Sequence, residues 1–300
     1  MNIRKKLDQI FYPSPDFNKS GKFGYEPHWL IKLLRSLARC IVAVFRLNSN
    51  NRLMVEIQQM LDPSIKIKLP NDESLMFRTG HGRLVWRAKT LLTEEEGLIK
   101  WINSFNSEDI FFDVGANMGG YALYAAKTKG IKVYAFEPEI NNIQLLYENI
   151  YKNKLNHLCV PIPLACDRQT AMKPFYITGF SKGKAMSTIG RKPIFVLVDN
   201  ETFVLDALCI RIDDFISNFE IPYPTKVKID VDGNELSVIE GMDKTLNHVR
   251  EIYIEFYAQL DEYKKIESVL KRRGFVVDQI YKAKTPLQHE ELANYLFIKA

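Results

Sequence analysis

From residue 110 onward the chain alternates short apolar runs with helix-length segments, and this rhythm limits the fold more than any other feature. Residues 110–114 are a run, apolar apart from Asp113, ended by Gly115. Residues 119–129 read as a helix stopped by Gly130, 132–136 as a strand, and 139–151 as a helix. Ile140, Ile143, Leu146 and Ile150 form one stripe of that helix. Residues 158–166 read as a third strand, with Pro161 and Pro163 pointing to an irregular or edge position. The rhythm resumes with strand 227–231, helix 236–246, strand 252–257, helix 260–273 and strands 275–281 and 295–299. Strands alternating with helices of this length imply an α/β fold: a doubly wound, mostly parallel sheet covered on both faces.

Three regions depart from the rhythm. Residues 170–210 carry short strand-like runs at 175–177, 194–198, 203–205 and 209–212 and a Gly/Ser/Lys-rich stretch at 181–193. They read as a β-hairpin insertion, with Ser187 and Thr188 at the centre of an acceptor lid. Residues 55–108 read as small strands at 65–69 and 73–78, then a helix opened by Thr93 and Glu94–Glu95–Glu96 in the manner of a capping box. Residues 1–54 form a basic extension. The first 60 residues hold ten Lys/Arg against four Asp/Glu, whereas the whole chain sums to +5. The expected domains are therefore 1–54, 55–108 and 109–300.

Within the extension, Trp29 to Leu47 has the apolar spacing of an amphipathic helix. Its longest uncharged stretch is Cys40 to Phe45, far short of the ~20 residues that span a bilayer. Such a helix either packs on the domain or makes peripheral contact with an anionic membrane surface. The expected location is cytoplasmic, with membrane association through this helix only in the second case. A basic surplus confined to the leader argues against a nucleic-acid partner. Four scattered cysteines and five scattered histidines offer neither a C-x-x-C nor an H-x-x-x-H pair, so no metal is expected.

The chemistry concentrates at strand tips. Phe112-Asp113-Val114-Gly115-Ala116-Asn117-Met118-Gly119-Gly120 spans the first strand-to-helix junction, where a doubly wound sheet binds nucleotide-like ligands. The helix that follows offers free N–H groups to an anion. A dinucleotide fingerprint would need Gly at 117, where Asn stands. A carboxylate beside an ammonium fits the turn better, and S-adenosylmethionine carries both. Glu137, 24 residues after Asp113, ends the second strand, where an acid takes a ribose diol. Asp167, past the third strand, is placed to accept from an adenine amino group or to form a turn. Lys228, Asp230 and Asp232 recur at the two-residue spacing of one strand face. Glu255 lies in an otherwise apolar strand.

Asp113-Val-Gly-Ala-Asn-x-Gly, Phe136-Glu-Pro and Lys228-Ile-Asp-Val-Asp-Gly, with Gly241 eight residues on, resemble the FkbM family of S-adenosylmethionine-dependent methyltransferases. Arg211-Ile-Asp213-Asp214-Phe215 resembles that family's Leu-Asp-Asp segment. The resemblance covers residues 90–285. It implies a class I methyltransferase, Rossmann-like, with a seven-stranded sheet whose last strand is antiparallel. It also implies O-methylation of a sugar, glycan or glycan-like natural product. Asp113, Gly115, Asn117, Met118 and Gly119 would then hold the methionine moiety and Glu137 the ribose. The family usually has Glu where Asp232 stands. Methyl transfer to a hydroxyl calls for a base, and Asp230, Asp232 and Glu255 are the candidates, in that order. Asp213 and Asp214 either bind polyol hydroxyls or start a helix. The alternatives are a nicotinamide-dependent oxidoreductase on a similar sheet and a non-catalytic binding module. An Asn/Asp-Pro-Pro-aromatic motif, expected for nitrogen methylation, does not follow the fourth strand.

Overall fold

The computed structural model describes residues 63–80, 82–179, 182–183, 185, 187–192, 202–257, 261–282 and 292–300, with Ser36, Leu37 and Cys40. The expected helix 29–47 otherwise lies outside the described residues, as does the expected strand 194–198. Ser36, Leu37 and Cys40 are helical and exposed. The chain divides into two units. In the smaller (1–64 and 79–83) the Thr79 N–H donates to the Pro63 carbonyl at 2.7 Å. Everything below concerns the larger unit, 65–78 and 84–300.

From residue 64 the described elements are β1 (Ser64–Lys68), β2 (Ser74–Arg78), α1 (Gly82–Thr90) and α2 (Glu96–Asn103). The core then runs β3 (Ile110–Val114), α3 (Gly120–Lys129), β4 (Lys132–Phe136), α4 (Ile140–Asn153) and β5 (Cys159–Ile162). The insertion comprises β6 (Ala165–Cys166), β7 (Ala171–Ile177), β8 (Thr188–Ile189) and β9 (Phe203–Ile210). The core resumes with α5 (Ile212–Phe219), β10 (Lys226–Ile229), α6 (Glu235–Glu240), β11 (Glu251–Tyr257), α7 (Asp261–Arg272), β12 (Phe275–Lys282) and β13 (Leu292–Lys299).

Seven strands form one sheet in the order β12-β13-β11-β10-β3-β4-β5. All its neighbouring pairs are parallel except those of β13, which runs antiparallel between β11 and β12. The expected doubly wound sheet and antiparallel last strand are therefore present. Phe111, Phe112 and Val114 are buried, because parallel strands are covered on both faces. One face packs α2, α3 and α4 through Trp101, Leu123 and Leu146. The other packs α5, α6 and α7 through Phe215, Val238 and Ile266.

Several expectations need correction. The third strand ends at Ile162, and Ala165–Cys166 belongs instead to a separate four-stranded sheet, β6-β9-β7-β8. Pro163 lies between them and has no N–H to continue the ladder. The two short runs at 203–205 and 209–212 are one strand, β9, and Ile212 already belongs to α5. Helix 236–246 stops at Glu240, and residues 245–247 form a 3₁₀ turn. The fourth parallel strand ends at Ile229, so Asp230 and Asp232 stand beyond it. The capping box at Thr93 does not form. Its hydroxyl donates to the Thr90 carbonyl, and Glu95 is the N-cap of α2.

Candidate active site

The turn between β3 and α3 is held from below. Gly115 and Ala116 N–H groups donate to the Phe136 carbonyl at 3.0 and 2.9 Å. Gly115 has φ +82°, and a Cβ there would collide with the Asp230 carbonyl oxygen. No side chain fits that approach. Asn117 has φ +51°, a left-handed conformation that Asn tolerates. Its side-chain oxygen accepts from the Met118 N–H at 2.9 Å. The Met118 carbonyl accepts from Asn149 at 2.9 Å. A Cβ on Gly119 would strike Leu146.

Glu137, at the end of β4, is buried. One carboxylate oxygen accepts from the Asn117 N–H at 2.8 Å and the other from the Glu139 N–H at 2.9 Å. Burial pushes its carboxyl up to about 7, against the pull of those amides. Glu139 caps α4 by accepting from the Asn142 N–H at 2.9 Å.

A cleft of about 720 Å³, counted to its open mouth, lies over these strand ends. Gly115, Asn117 and Glu137 line it together with Asp230 and Asp232. Arg87, Asn142, Ser187 and Asn234 complete the wall. Sequence reasoning missed Arg87, Asn142 and Asn234. Asn234 could have been found as the helix-start residue after Asp232-Gly233. Arg87 carried no signal, because α1 itself was not expected.

Lys228 is buried beneath this cleft, in register with Asp113 on β3 and Tyr253 on β11. Its ammonium lies 3.3 Å from Asp113, 3.1 Å from Asp230 and 3.4 Å from the Gly115 carbonyl. Burial alone would depress it, but Asp230, Asp113 and Glu95 outweigh burial and hold it well above the ordinary lysine value. Lys228 therefore stays charged. Asp113 is buried with its carboxylate against the Lys228 ammonium, and burial raises its carboxyl against the pull of that charge. It sits below the cleft floor rather than on its lining.

Asp232 is exposed, in a left-handed conformation that Asp tolerates. Glu255 follows Tyr253 by two residues and so shares its sheet face. Burial and the charges of Asp230, Glu95 and Asp232 push its carboxyl well above the usual range. Asp167 does not reach the cleft. Its carboxylate binds Lys173 at 2.5 Å and Asn234 at 3.3 Å and lines a separate cavity with Arg191 and Glu262. Asp213 accepts from the Lys244 and Thr245 N–H groups, and Asp214 from Thr170. Both are in the first turn of α5, the helix-start reading. Of the expected lid pair, Ser187 lines the cleft, while Thr188 pairs with Tyr176 in β8.

The donor set fits S-adenosylmethionine. Glu137 lines the cleft with a lone pair left on each carboxylate oxygen for a diol, and the α3 N-terminus suits a carboxylate. Among the described residues no group of three or more His, Cys, Asp or Glu is placed to hold a metal ion. No described helix is long and apolar enough to cross a membrane.

Residues 113–277 match the family model described as the Methyltransferase FkbM domain. The hexuronic acid methyltransferase AglP of Haloferax volcanii is 26% identical over 180 residues, covering 59% of this chain and 68% of that protein. The 31-O-demethyl-FK506 methyltransferase FkbM of Streptomyces tacrolimicus is 23% identical over 190 residues, covering 56% of this chain and 73% of that one. Among solved structures, the methyltransferase FkbM of Methylobacillus flagellatus KT aligns at 20% identity with a TM-score of 0.42. That alignment covers 64% of this chain and 44% of the solved one.

Proposed function

The chain belongs to the FkbM methyltransferase domain family, and from that premise we propose that it methylates a hydroxyl of a sugar, glycan or glycan-like natural product. It is a methyltransferase that uses S-adenosylmethionine. The observation that carries the reading is the union, in one cleft, of the glycine turn and Glu137 with Asp230 and Asp232. The named substrates of the two relatives, a hexuronic acid and a demethylated FK506, support an oxygen acceptor.

When bound, S-adenosylmethionine supplies an electrophilic methyl group. The chain's own residues then have three tasks. Gly115, Asn117, Met118 and Gly119 shape the seat of the methionine moiety, with Asp113 beneath them. Glu137 fixes that turn and takes the ribose diol. Asp230 accepts a hydrogen bond from a neighbouring hydroxyl of the polyol acceptor and so aims the reacting one. Its other partner, the Lys228 ammonium, holds it in place. Holding acceptor and methyl in near-attack geometry can supply ~7–11 kcal/mol of the barrier. Asp230→Asn keeps the side chain's shape and loses the charge. We expect kcat to fall by about 10²-fold or more with cofactor affinity within a few fold. An unchanged kcat removes Asp230 from the reaction.

The test of the acceptor class is transfer of labelled methyl to a panel of uronic-acid glycosides, neutral glycosides and hydroxylated macrolides. The product's methyl is then located by NMR. An O-linked methyl on a carbohydrate or polyketide supports the reading, and an N- or C-linked methyl overturns it. The nicotinamide alternative is disfavoured by Asn117, whose side chain stands where a dinucleotide turn needs none.

A further inference from the structure

Glu95 occupies a position the sequence marks only as a helix start. It is the N-cap of α2, yet its carboxylate caps nothing. Instead it accepts from the Tyr121 hydroxyl at 3.0 Å. Tyr121 lies in the first turn of α3, directly after the glycine turn, and the Lys228 ammonium is 6.0 Å from the centre of its ring. Lys228 in turn holds Asp230 at the cleft. A continuous path therefore joins Glu95 to the wall where the acceptor hydroxyl is expected.

A second, independent feature points to the same place. Tyr253 is buried, and its ring stacks on Trp101 at 5.3 Å, so its hydroxyl is fixed. That hydroxyl has no hydrogen-bond partner among the described residues. The charges of Glu95, Glu255 and Asp230 all act on it. A buried hydroxyl without a partner is one that an arriving polar group would satisfy.

We infer that Glu95 is the proton acceptor of methyl transfer and that, with Tyr253 and Glu255, it lines the seat of the acceptor hydroxyl. The inference rests on the hydroxyl-methylation reading above. In the step, the acceptor oxygen forms its bond to the methyl carbon. The methyl–sulfur bond breaks and its electron pair stays on sulfur. The hydroxyl proton passes to the Glu95 carboxylate, which becomes a neutral acid and later returns the proton to water. The sulfonium charge and the carboxylate charge disappear together.

The surroundings suit that task. Burial and Asp230 push Glu95 up to about 7, while Lys228, the Tyr121 hydrogen bond and Arg87 pull it down. A base that titrates near the working pH is both available and strong enough to accept. Arg87 faces Glu95 from α1, Tyr121 from α3, Lys228 and Asp230 from β10 and its loop, and Tyr253 and Glu255 from β11. Asp230 is bound to an ammonium and Asp232 is exposed, so neither matches Glu95 as a base.

Glu95→Gln keeps an oxygen for Tyr121 and serves as the test variant. Two readouts decide. In the first, the full-length protein bound to S-adenosylhomocysteine is titrated by carboxyl carbon NMR. Glu95 is expected to titrate near pH 7, Asp230→Asn to lower that midpoint and Tyr121→Phe to raise it. A Glu95 midpoint in the ordinary carboxylate range overturns the inference. In the second, methyl α-D-glucuronide and methyl α-D-glucoside are supplied as acceptors. Wild-type kcat should rise through about pH 7 and level off. Glu95→Gln should lose that limb and about 10²-fold or more of kcat, with S-adenosylhomocysteine affinity within threefold. A Glu95→Gln enzyme with wild-type rate and limb overturns the role of Glu95 and leaves hydroxyl methylation standing. If wild type labels neither glycoside, the carbohydrate reading fails on its own, and the titration alone decides for or against Glu95.

Discussion

Glu137 serves the turn and the cofactor at once. Its two oxygens hold the Asn117 and Glu139 amides, and each keeps a lone pair for a ligand. Glu137→Ala should weaken S-adenosylhomocysteine binding roughly 10–100-fold, the worth of charged hydrogen bonds of ~1.5–3 kcal/mol. Equilibrium dialysis at pH 7.5 measures it, and unchanged affinity would remove Glu137 from the site. At this scale the sequence was uneven. Glu137 and Asp230 were legible because strand ends with charges in an apolar context face a crevice. Asp113 was read as lining the cleft because it precedes Gly115. In the sheet it is a mid-strand residue paired with Lys228, and its side chain lies below. Asp167 was drawn away by Lys173, a partner six residues along that no local pattern reveals. Glu95 was hidden among three successive glutamates, which only the position of Tyr121 tells apart.

The turn after β3 is the element on which the cleft depends. Gly115→Ala combines a left-handed backbone with a collision against the Asp230 carbonyl. We expect a loss of roughly 3–5 kcal/mol in denaturant unfolding, together with loss of cofactor binding. Gly130→Ala is the control. It has φ +67° but open space around it, so only backbone strain of about 1–2 kcal/mol should appear, with binding intact. Equal losses for the two variants would mean that the close approach at Gly115 carries no weight. Elements buried on both faces, such as β3, β4 and β11, were readable because nearly every residue is apolar. Helix α1 was not. It buries only Leu84, Val85 and Ala88, and Arg83, Arg87 and Lys89 dilute its periodicity. The insertion was recognised as strands, but β9 exposes Phe203, Val204, Leu205 and Leu208. Without inward–outward alternation its length could not be read.

Across the whole molecule, burial couples stability to pH. Glu137 and Glu235 are both raised to about 7 from an ordinary carboxyl value of 4.5. Between those two values the folded chain holds protons that the unfolded chain has released. Stability contributed by these groups is therefore present at low pH, falls as pH rises through this window, and is gone above about pH 7. Each group can account for about 3 kcal/mol at most. Glu235→Gln should flatten the fall of the melting temperature between pH 5 and 7 in the cofactor-free protein, as scanning calorimetry would show. A slope identical to wild type would mean that Glu235 titrates normally. The charge asymmetry of the sequence belongs to this scale too, since the basic surplus lies in the first 60 residues, ahead in sequence of the segments that form the cleft.

The most direct measurement is a calorimetric titration of the wild-type chain with S-adenosylhomocysteine and, separately, with NAD⁺. The arrangement of the glycine turn, Glu137 and the buried acid beneath them predicts one saturable site for the former and no heat for the latter. Saturable binding of NAD⁺ alone, or of neither compound, would contradict it.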